Sequence, residues 1–442
     1  MYPNPQDVLP LPPRPNLEQY KKRAKDLVKA CKSGDPGAIR ARVEHWLEAL
    51  DTAQPEANRP RRAEAIKHRA EQIEEFAKTK LSPSACALAD AQFVIARAHG
   101  FKSWPKFAQH LESLARDASR ISAFETAADA IVAGDVATLT RLLRENPELI
   151  RARSTREHQA MLLHYVAANG VENYRQRTPK NAVQVAEILL EAGAEVDAEA
   201  DVYGGGATTL GLVATSVHPF KAGVQNDLID VLLKHGARLD HPGGAGNKHT
   251  LVTGCLANGR LEAAEYVASR GASLNLPGAA GVGRLDVVIT YFNDDGSLRS
   301  SATQDDLANA FVWACGYGRA EVADFLLDRG IGVDARFPFH GRGHTGLHLA
   351  AYHAHPDIVR ILLRRGATVE LTDETWGTTP LAWALYGWAS NDAPMSAGER
   401  YYDVVAMLLA AGSAVNPKWL EWDEVQSDPR MRAALTGESR MT

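Results

Sequence analysis

Apolar residues recur along the chain with the spacing of amphipathic helices, and one ten-residue pattern returns six times. Each copy ends a helix with a bulky apolar pair and continues with glycine, a small residue, a variable position, an aliphatic residue and an acid or amide. The copies are ILLEAGAEVD at 188–197, VLLKHGARLD at 231–240, YVASRGASLN at 266–275, FLLDRGIGVD at 325–334, ILLRRGATVE at 361–370 and MLLAAGSAVN at 407–416. Such recurrence indicates repeats of about 33 residues with insertions in some loops.

One repeat shows the predicted structure of all of them. In PDIVRILLRRGA, Pro356 is suited to the first position of a helix, and Gly366 falls where a left-handed residue ends one. The preceding TGLHLAAYHAH predicts a second helix, in which Ala350 and Ala351 allow close approach of a neighbour. Such a helix pair cannot bury its apolar side alone, so the pairs must stack. The apolar side of the second helix consists of Ile358, Val359, Ile361, Leu362 and Leu363.

These repeats resemble ankyrin repeats. The family's signature T-P-L-H-x-A is matched by TGLHLA at 345–350, with glycine for proline, and by TPLAWA at 379–384, with alanine for histidine; LLHYVAANG at 162–170 is a looser copy. The resemblance covers about residues 120–416 in seven units. It implies an all-α solenoid of about seven helix pairs with turn and finger loops. It implies no shared chemistry, because such arrays mostly bind partners.

The resemblance also gives several histidines a structural role. His164 and His348 fall at the signature position, where an imidazole in this family bridges backbone groups of adjacent turns. His355 falls at another position common in the family, before the second helix. We therefore interpret these three histidines as parts of the scaffold, and they do not indicate a metal site or acid–base catalysis.

The first helices of the last three units carry aromatic residues at the variable positions that face the concave groove in this family. Two interpretations are open. The aromatic side chains form an exposed strip that binds a partner, or a phase error of one residue places Trp313 and Trp383 in the core. The predicted strip consists of Trp313, Tyr317, Tyr352, His353, Trp383 and Tyr386.

The finger loops beside this strip add His340, Asp373 and Trp376 to the predicted binding residues. The favoured function is recognition of a protein or peptide partner. The alternative is a small-molecule site or an enzyme in the same groove, in which Glu374 and His344 join the possible acids and bases. The sequence contains no nucleophile elbow, HExxH motif or P-loop, and it indicates no catalytic residue, cofactor or metal.

Residues 1–120 differ from the repeats. After a proline-rich leader they predict several helices, and we interpret them as a module that caps the array. ADAQFVIARAHGFKSWPKFAQHLE resembles a segment that precedes the repeats in bacterial ankyrin proteins, which implies a bacterial cytoplasmic protein. The predicted domains are this module, the solenoid at 121–416 and a helical C-terminal cap at 417–442. Three insertions are predicted to border a ligand. They lie at 171–182, at 389–402 and between Gly271 and Gly330, and the last contains a predicted extra helix near 283–292.

The charge, apolar runs and cysteines of the chain argue against several classes of function. The net charge is −5, and residues 1–120 hold 21 Lys and Arg against 15 Asp and Glu, which is too mixed to indicate nucleic-acid binding. No apolar run of about 18 residues predicts a membrane span, and the start of the chain does not read as a signal peptide. The widely spaced Cys31, Cys86, Cys255 and Cys315 are interpreted as reduced thiols of a cytoplasmic protein.

Overall fold

A computed structural model of the chain describes residues 4, 7–12, 15–51, 59–81, 86–116, 119–241, 250–336, 343–390 and 398–437, apart from the side chains of residues 51, 59–63 and 65. The chain divides into two compact units, residues 1–248 and 249–442. This division falls inside the predicted repeat array, and the predicted boundaries at 120 and 416 stay a prediction.

The first unit opens with five helices that share one core. Asn16 caps the first helix, because its side chain accepts a hydrogen bond from the backbone N–H of Glu18 at 2.8 Å. The leader also packs into this core: Leu9 is buried, and its N–H donates to the carbonyl of Ala98 at 2.9 Å. The helices are α1 Leu17–Lys32, α2 Ala38–Asp51, α3 Arg59–Lys80, α4 Leu88–Ala98 and α5 Trp104–Leu114.

The expectation of four reduced thiols is wrong for two of them. Cys31, at the end of α1, and Cys86, before α4, form a disulfide between Cα atoms 6.1 Å apart. The segment between them includes the α2–α3 helix pair, whose packing brings the two sulfur atoms together. Cys255 and Cys315 are buried thiols outside the disulfide, as expected.

The same unit continues with three helix pairs. The first helix of the second pair is the 3₁₀ helix Leu162–Ala167, and an antiparallel hairpin of β1 Glu199–Ala200 and β2 Ala207–Thr208 precedes the third pair. An additional helix, α10 Val217–Ala222, lies in the loop of the third pair. The remaining helices are α6 Arg120–Ala133, α7 Val136–Glu145, α8 Ala182–Glu191, α9 Thr209–Thr215, α11 Gln225–Lys234 and the 3₁₀ helices Pro147–Arg151 and Asn173–Arg175.

The second unit contains five further helix pairs among its described residues. The helix predicted near 283–292 is present as α15 Leu285–Ile289, and the unpredicted α14 Leu276–Gly281 before it makes the insertion a further short helix pair. Three short helices follow the last pair. The pairs are α12 Leu251–Ala257 with α13 Leu261–Ser269, α14 Leu276–Gly281 with α15 Leu285–Ile289, α16 Gln304–Gly316 with α17 Ala320–Asp328, α18 Gly346–Tyr352 with α19 Pro356–Arg364, and α20 Pro380–Ala389 with α21 Gly398–Ala410. The closing helices are the 3₁₀ helix Pro417–Glu421, α22 Asp423–Ser427 and α23 Pro429–Thr436.

The all-α repeat fold predicted from the sequence is confirmed. The glycine that follows the helix in each of the six copies of the pattern has φ between +85° and +101°, the left-handed conformation that ends a helix. The glycine that replaces proline in the signature has a separate reason. A Cβ atom at Gly346 would lie 2.7 Å from the Cys315 sulfur, so the close contact of α16 with α18 requires a residue without a side chain.

The structural roles predicted for the histidines are also confirmed. The His164 Nδ1 accepts from the N–H of Met161 at 3.1 Å, and its Nε2 donates to the carbonyl of Ala198 at 2.9 Å. His348 makes the same bridge to the N–H of Thr345 and the carbonyl of Thr378, at 3.2 and 3.1 Å. Burial lowers the pKa of His164 to about 4, which keeps the ring neutral and able both to accept and to donate.

No helix in the described part of the chain is long and apolar enough to cross a membrane.

Candidate binding surface

The aromatic residues predicted to form one exposed strip divide into buried and exposed members. The expected exposure of Trp313 and Trp383 is wrong, since their side chains are only 6% and 8% exposed. The Trp383 ring packs against His348 and Tyr352 of the preceding first helix. Tyr317 and Tyr352 are partly buried, while Tyr386 is 50% exposed.

Five of the rings nevertheless form one continuous series, which we call the aromatic row: Tyr317, His353, Tyr352, Trp383 and Trp376. Consecutive ring centroids lie 6.5, 4.9, 5.9 and 5.6 Å apart. These distances fall in or close to the range of aromatic pairs that attract each other beyond area burial. The row joins α16, α18 and α20 to the finger loop before α20, and its Trp376 end is 63% exposed.

Asp373 organises this finger loop. Its Oδ1 accepts from the N–H groups of Thr375 and Trp376 at 2.8 and 2.7 Å. Its Oδ2 accepts from the N–H and hydroxyl of Thr378 at 2.9 and 2.7 Å and from the Trp383 indole at 3.3 Å. Burial alone would raise the pKa of this carboxyl, but these hydrogen bonds hold the pKa well below its usual range. Asp373 is therefore a structural anion that places Trp376.

Tyr386 is held by a different set of contacts. Its ring lies 5.1 Å from that of Trp422 in the C-terminal segment. The next residue, Gly387, contacts the backbone of α18 so closely that a Cβ would lie 2.2 Å from the carbonyl oxygen of Tyr352. The same carbonyl accepts a hydrogen bond from the Tyr401 hydroxyl at 2.7 Å. Tyr386 thus projects from a backbone that packs closely against α18.

The remaining predicted residues have other surroundings. The Tyr317 hydroxyl donates to the carbonyl of Leu256, and burial raises the pKa of Tyr317 to about 12. His353 is exposed between the Tyr317 and Tyr352 rings. His344, a possible base, is buried 5.3 Å from the Trp383 ring. His340 lies outside the described residues.

A second polar cluster, in the first unit, is a feature that the sequence analysis missed. The Arg156 Nη1 lies 2.6 Å from Glu125, and the Arg175 Nη1 lies 2.8 Å from the other oxygen of the same carboxylate. Glu172, fully buried, is 3.0 Å from the Arg156 Nε and 3.5 Å from Arg175. We call these four residues the buried ionic cluster. The insertion 171–182, expected to wall a ligand, contributes Glu172 and Arg175 to it.

The carboxylates and guanidinium groups of the buried ionic cluster form a network of paired charges. Burial would raise the pKa of Glu125, but Arg156 and Arg175 hold it at about 2. They also hold the pKa of Glu172 well below its usual value against the effect of burial. Both carboxylates are therefore charged at neutral pH, and each charge has a partner. The sequence signal for this cluster was present only as Glu172 and Arg175 inside VENYRQR.

Comparisons with known proteins agree with the repeat geometry of the second unit. Residues 279–373 and 311–418 match the family model of ankyrin repeats, in three copies. The repeats make this part of the chain an ankyrin-repeat array, which indicates a protein-interaction module. No group of three His, Cys, Asp or Glu in the described residues could hold a metal ion.

Two animal proteins show local similarity. E3 ubiquitin-protein ligase hecd-1 of Caenorhabditis elegans is 37% identical over 71 residues, which are 16% of this chain and 2% of that protein. E3 ubiquitin-protein ligase Ufd4 of Drosophila melanogaster is 30% identical over 114 residues, 26% of this chain and 4% of that protein. The chain therefore matches a very small part of either relative, and the bacterial origin implied by the N-terminal resemblance stays a prediction.

Proposed function

We propose that the second unit binds a protein or peptide partner through Trp376, Tyr386 and His353. The observation that carries this proposal is the exposure of two large aromatic side chains, 63% for Trp376 and 50% for Tyr386, on backbone that the fold holds in place. Tryptophan and tyrosine are the side chains most enriched among residues that dominate binding energy.

The contacts that hold Trp376 in place before a partner binds support the proposal. The N–H of Trp376 is bonded to Asp373, and the Trp376 ring lies 5.6 Å from that of buried Trp383. A partner would therefore lose little entropy in ordering this side chain. The enzymatic alternative receives less support, because every oxygen of Asp373 already accepts hydrogen bonds and its low pKa makes it a poor proton donor or acceptor at neutral pH.

A cytoplasmic location stays a prediction, and a reducing compartment would open the Cys31–Cys86 disulfide.

Selection of peptides from a displayed random library on the immobilised full chain tests this function. Trp376→Ala and Tyr386→Ala should each weaken binding of the selected peptides by about 2 kcal/mol, or roughly 30-fold. Ile289→Ala removes another exposed apolar side chain of the same unit and serves as the matched control, with unchanged affinity. Equal binding by all three variants would contradict the proposal, as would a library that yields no binder.

A further inference from the structure

A cavity of about 440 Å³ lies between α1 and α2 in the first unit, remote in sequence from the proposed partner surface. Pro12 of the leader contributes to one wall. Volumes of roughly 300–1,000 Å³ are usual for small-molecule sites. The inference drawn from this cavity goes beyond the proposed function and does not depend on it.

Arg23 is the central polar group of the cavity lining. Its guanidinium carbon lies 4.8 Å from the ring centroid of Tyr20 and 5.3 Å from that of Trp46. Both rings lie within cation–π distance of the guanidinium. The Tyr20 hydroxyl also interacts with the guanidinium, but the buried Arg23 Nη1 donates to no acceptor in good hydrogen-bond geometry among the described residues. A buried donor without an acceptor is rare and destabilising unless a ligand supplies the acceptor.

Trp46 provides a second donor of the same kind. The side chain lines the cavity and is only 5% exposed. Its indole N–H also has no acceptor in the described part of the chain. Two buried donors, one of them charged, therefore lie beside one cavity without a partner. A group with several acceptor oxygens would satisfy both.

The charges around the cavity favour the same kind of ligand. Lys22 and Arg42 are exposed cations in the lining, and Asp26 is the acid among the lining residues. Asp26 lies 3.8 Å from Lys29, so its charge is partly balanced outside the cavity. The lining thus has three cations against one acid, while Leu27 and Leu50 provide apolar surface.

We propose that this cavity binds a small anion with an apolar body, whose carboxylate or phosphate oxygens accept hydrogen bonds from Arg23 and Trp46. Lys22 and Arg42 attract the anion, and Leu27 and Leu50 contact its apolar part. Water does not reach the two buried donors, so binding includes rotations of the Arg23 and Trp46 side chains that turn both donors toward the cavity. Such a change of rotamer is fast compared with ligand exchange.

Calorimetric titration of the full chain with phenyl phosphate tests the proposal, and benzoate titrated in parallel distinguishes a phosphate from a carboxylate headgroup. Inorganic phosphate lacks the apolar body, and benzyl alcohol lacks the charge. We expect phenyl phosphate or benzoate to bind at least tenfold more tightly than either of these two compounds. The assigned indole N–H resonance of Trp46 should shift downfield as its hydrogen bond forms.

Substitutions of the lining residues test whether the anion binds in this cavity. Arg23→Gln should weaken it at least tenfold, and Lys22→Gln combined with Arg42→Gln should weaken it several-fold without changing any buried group. Arg141→Gln, an exposed cation of the same unit paired with Glu145, is the matched control and should bind normally. No binding of either aromatic anion overturns the proposal. Equal binding of benzyl alcohol or inorganic phosphate also overturns it, and so does unchanged affinity in the double variant. The double variant remains informative if Arg23→Gln fails to fold.

Discussion

Two tryptophans close to each other in sequence have opposite roles at the residue scale. The Trp383 indole donates to the Thr378 hydroxyl at 3.0 Å and packs among His348, Tyr352 and Trp376. Trp376 has only one side of its ring against this packing and is otherwise exposed. The buried indole supports the exposed one, so loss of the first should also affect the second.

Trp383→Ala should therefore destabilise the second unit by about 3–5 kcal/mol, as for other buried aromatic truncations. Trp376→Ala should change stability by less than about 0.5 kcal/mol. Hydrogen exchange of peptides that cover α20, compared between the two variants, measures the difference. Similar protection in both variants would show that Trp383 does not belong to the core.

Asp373 predicts a pH dependence of stability. Its folded-state pKa is lowered, so its contribution is fully present above the unfolded pKa of about 3.9. That contribution is lost as the pH falls through the lower folded value. Asp373→Asn should be less stable than the natural protein at pH 7, and the difference in free energy of unfolding should shrink below about pH 4. Urea unfolding of both proteins at a series of pH values tests this, and a difference that stays constant to pH 2.5 would contradict it.

At the scale of elements, the buried ionic cluster connects α6 to two loops of the first unit. Glu125 belongs to α6, Arg156 to the loop after α7, and Glu172 and Arg175 to the insertion before α8. The Arg156 guanidinium also lies 5.6 Å from the Phe101 ring of the N-terminal helices. The N–H of Glu157 donates to the carbonyl of Gly100 at 2.8 Å. These contacts join residues 100 and 101 to the loop after α7, and the capping role of residues 1–120 stays a prediction.

Arg175→Ala should destabilise the first unit by about 3–5 kcal/mol, because it leaves two buried carboxylates with one guanidinium. Arg141→Ala breaks an exposed ion pair and should cost about 0–1 kcal/mol. Chemical denaturation followed by hydrogen exchange of α6 peptides measures both. A cost below about 1 kcal/mol for Arg175→Ala would show that water compensates for the missing charge.

At the scale of the whole molecule, the disulfide distinguishes the two units. Cys31 and Cys86 close a loop with a sequence separation of 55, whereas Cys255 and Cys315 of the second unit are not in a disulfide. Closing a loop of this length reduces the entropy of the unfolded chain.

Replacing both Cys31 and Cys86 by alanine should lower the stability of the first unit by about 4 kcal/mol and should leave the second unchanged. Hydrogen exchange of peptides from 15–51 and from 250–336 reports on the two units separately. Adding a reductant to the natural protein should reproduce the effect. If reductant and substitution change nothing, the thiols are reduced in the natural protein, as the sequence alone had suggested.

Local patterns were sufficient to predict much of this molecule. The recurring helix ends predicted the helix pairs and the left-handed glycines, and Leu362 is fully buried as its helix pattern required. The bridging roles of His164 and His348 were implied by the resemblance to ankyrin repeats. The helix ends and the glycine conformations depend on residues within one or two turns of each other. Backbone geometry relates such residues directly, so sequence order determines their arrangement.

Long-range packing decided the rest. Whether Trp383 is buried depends on the rotation of α20 against α18, and a shift of one residue moves a side chain by about 100° around a helix. The Cys31–Cys86 disulfide and the contact of Glu125 with Arg175 join residues that are 55 and 50 positions apart. No local preference selects such partners, since they become neighbours only after the helices have stacked. The exposed tryptophan and tyrosine of the proposed surface are therefore defined by tertiary packing and not by their positions in the repeat.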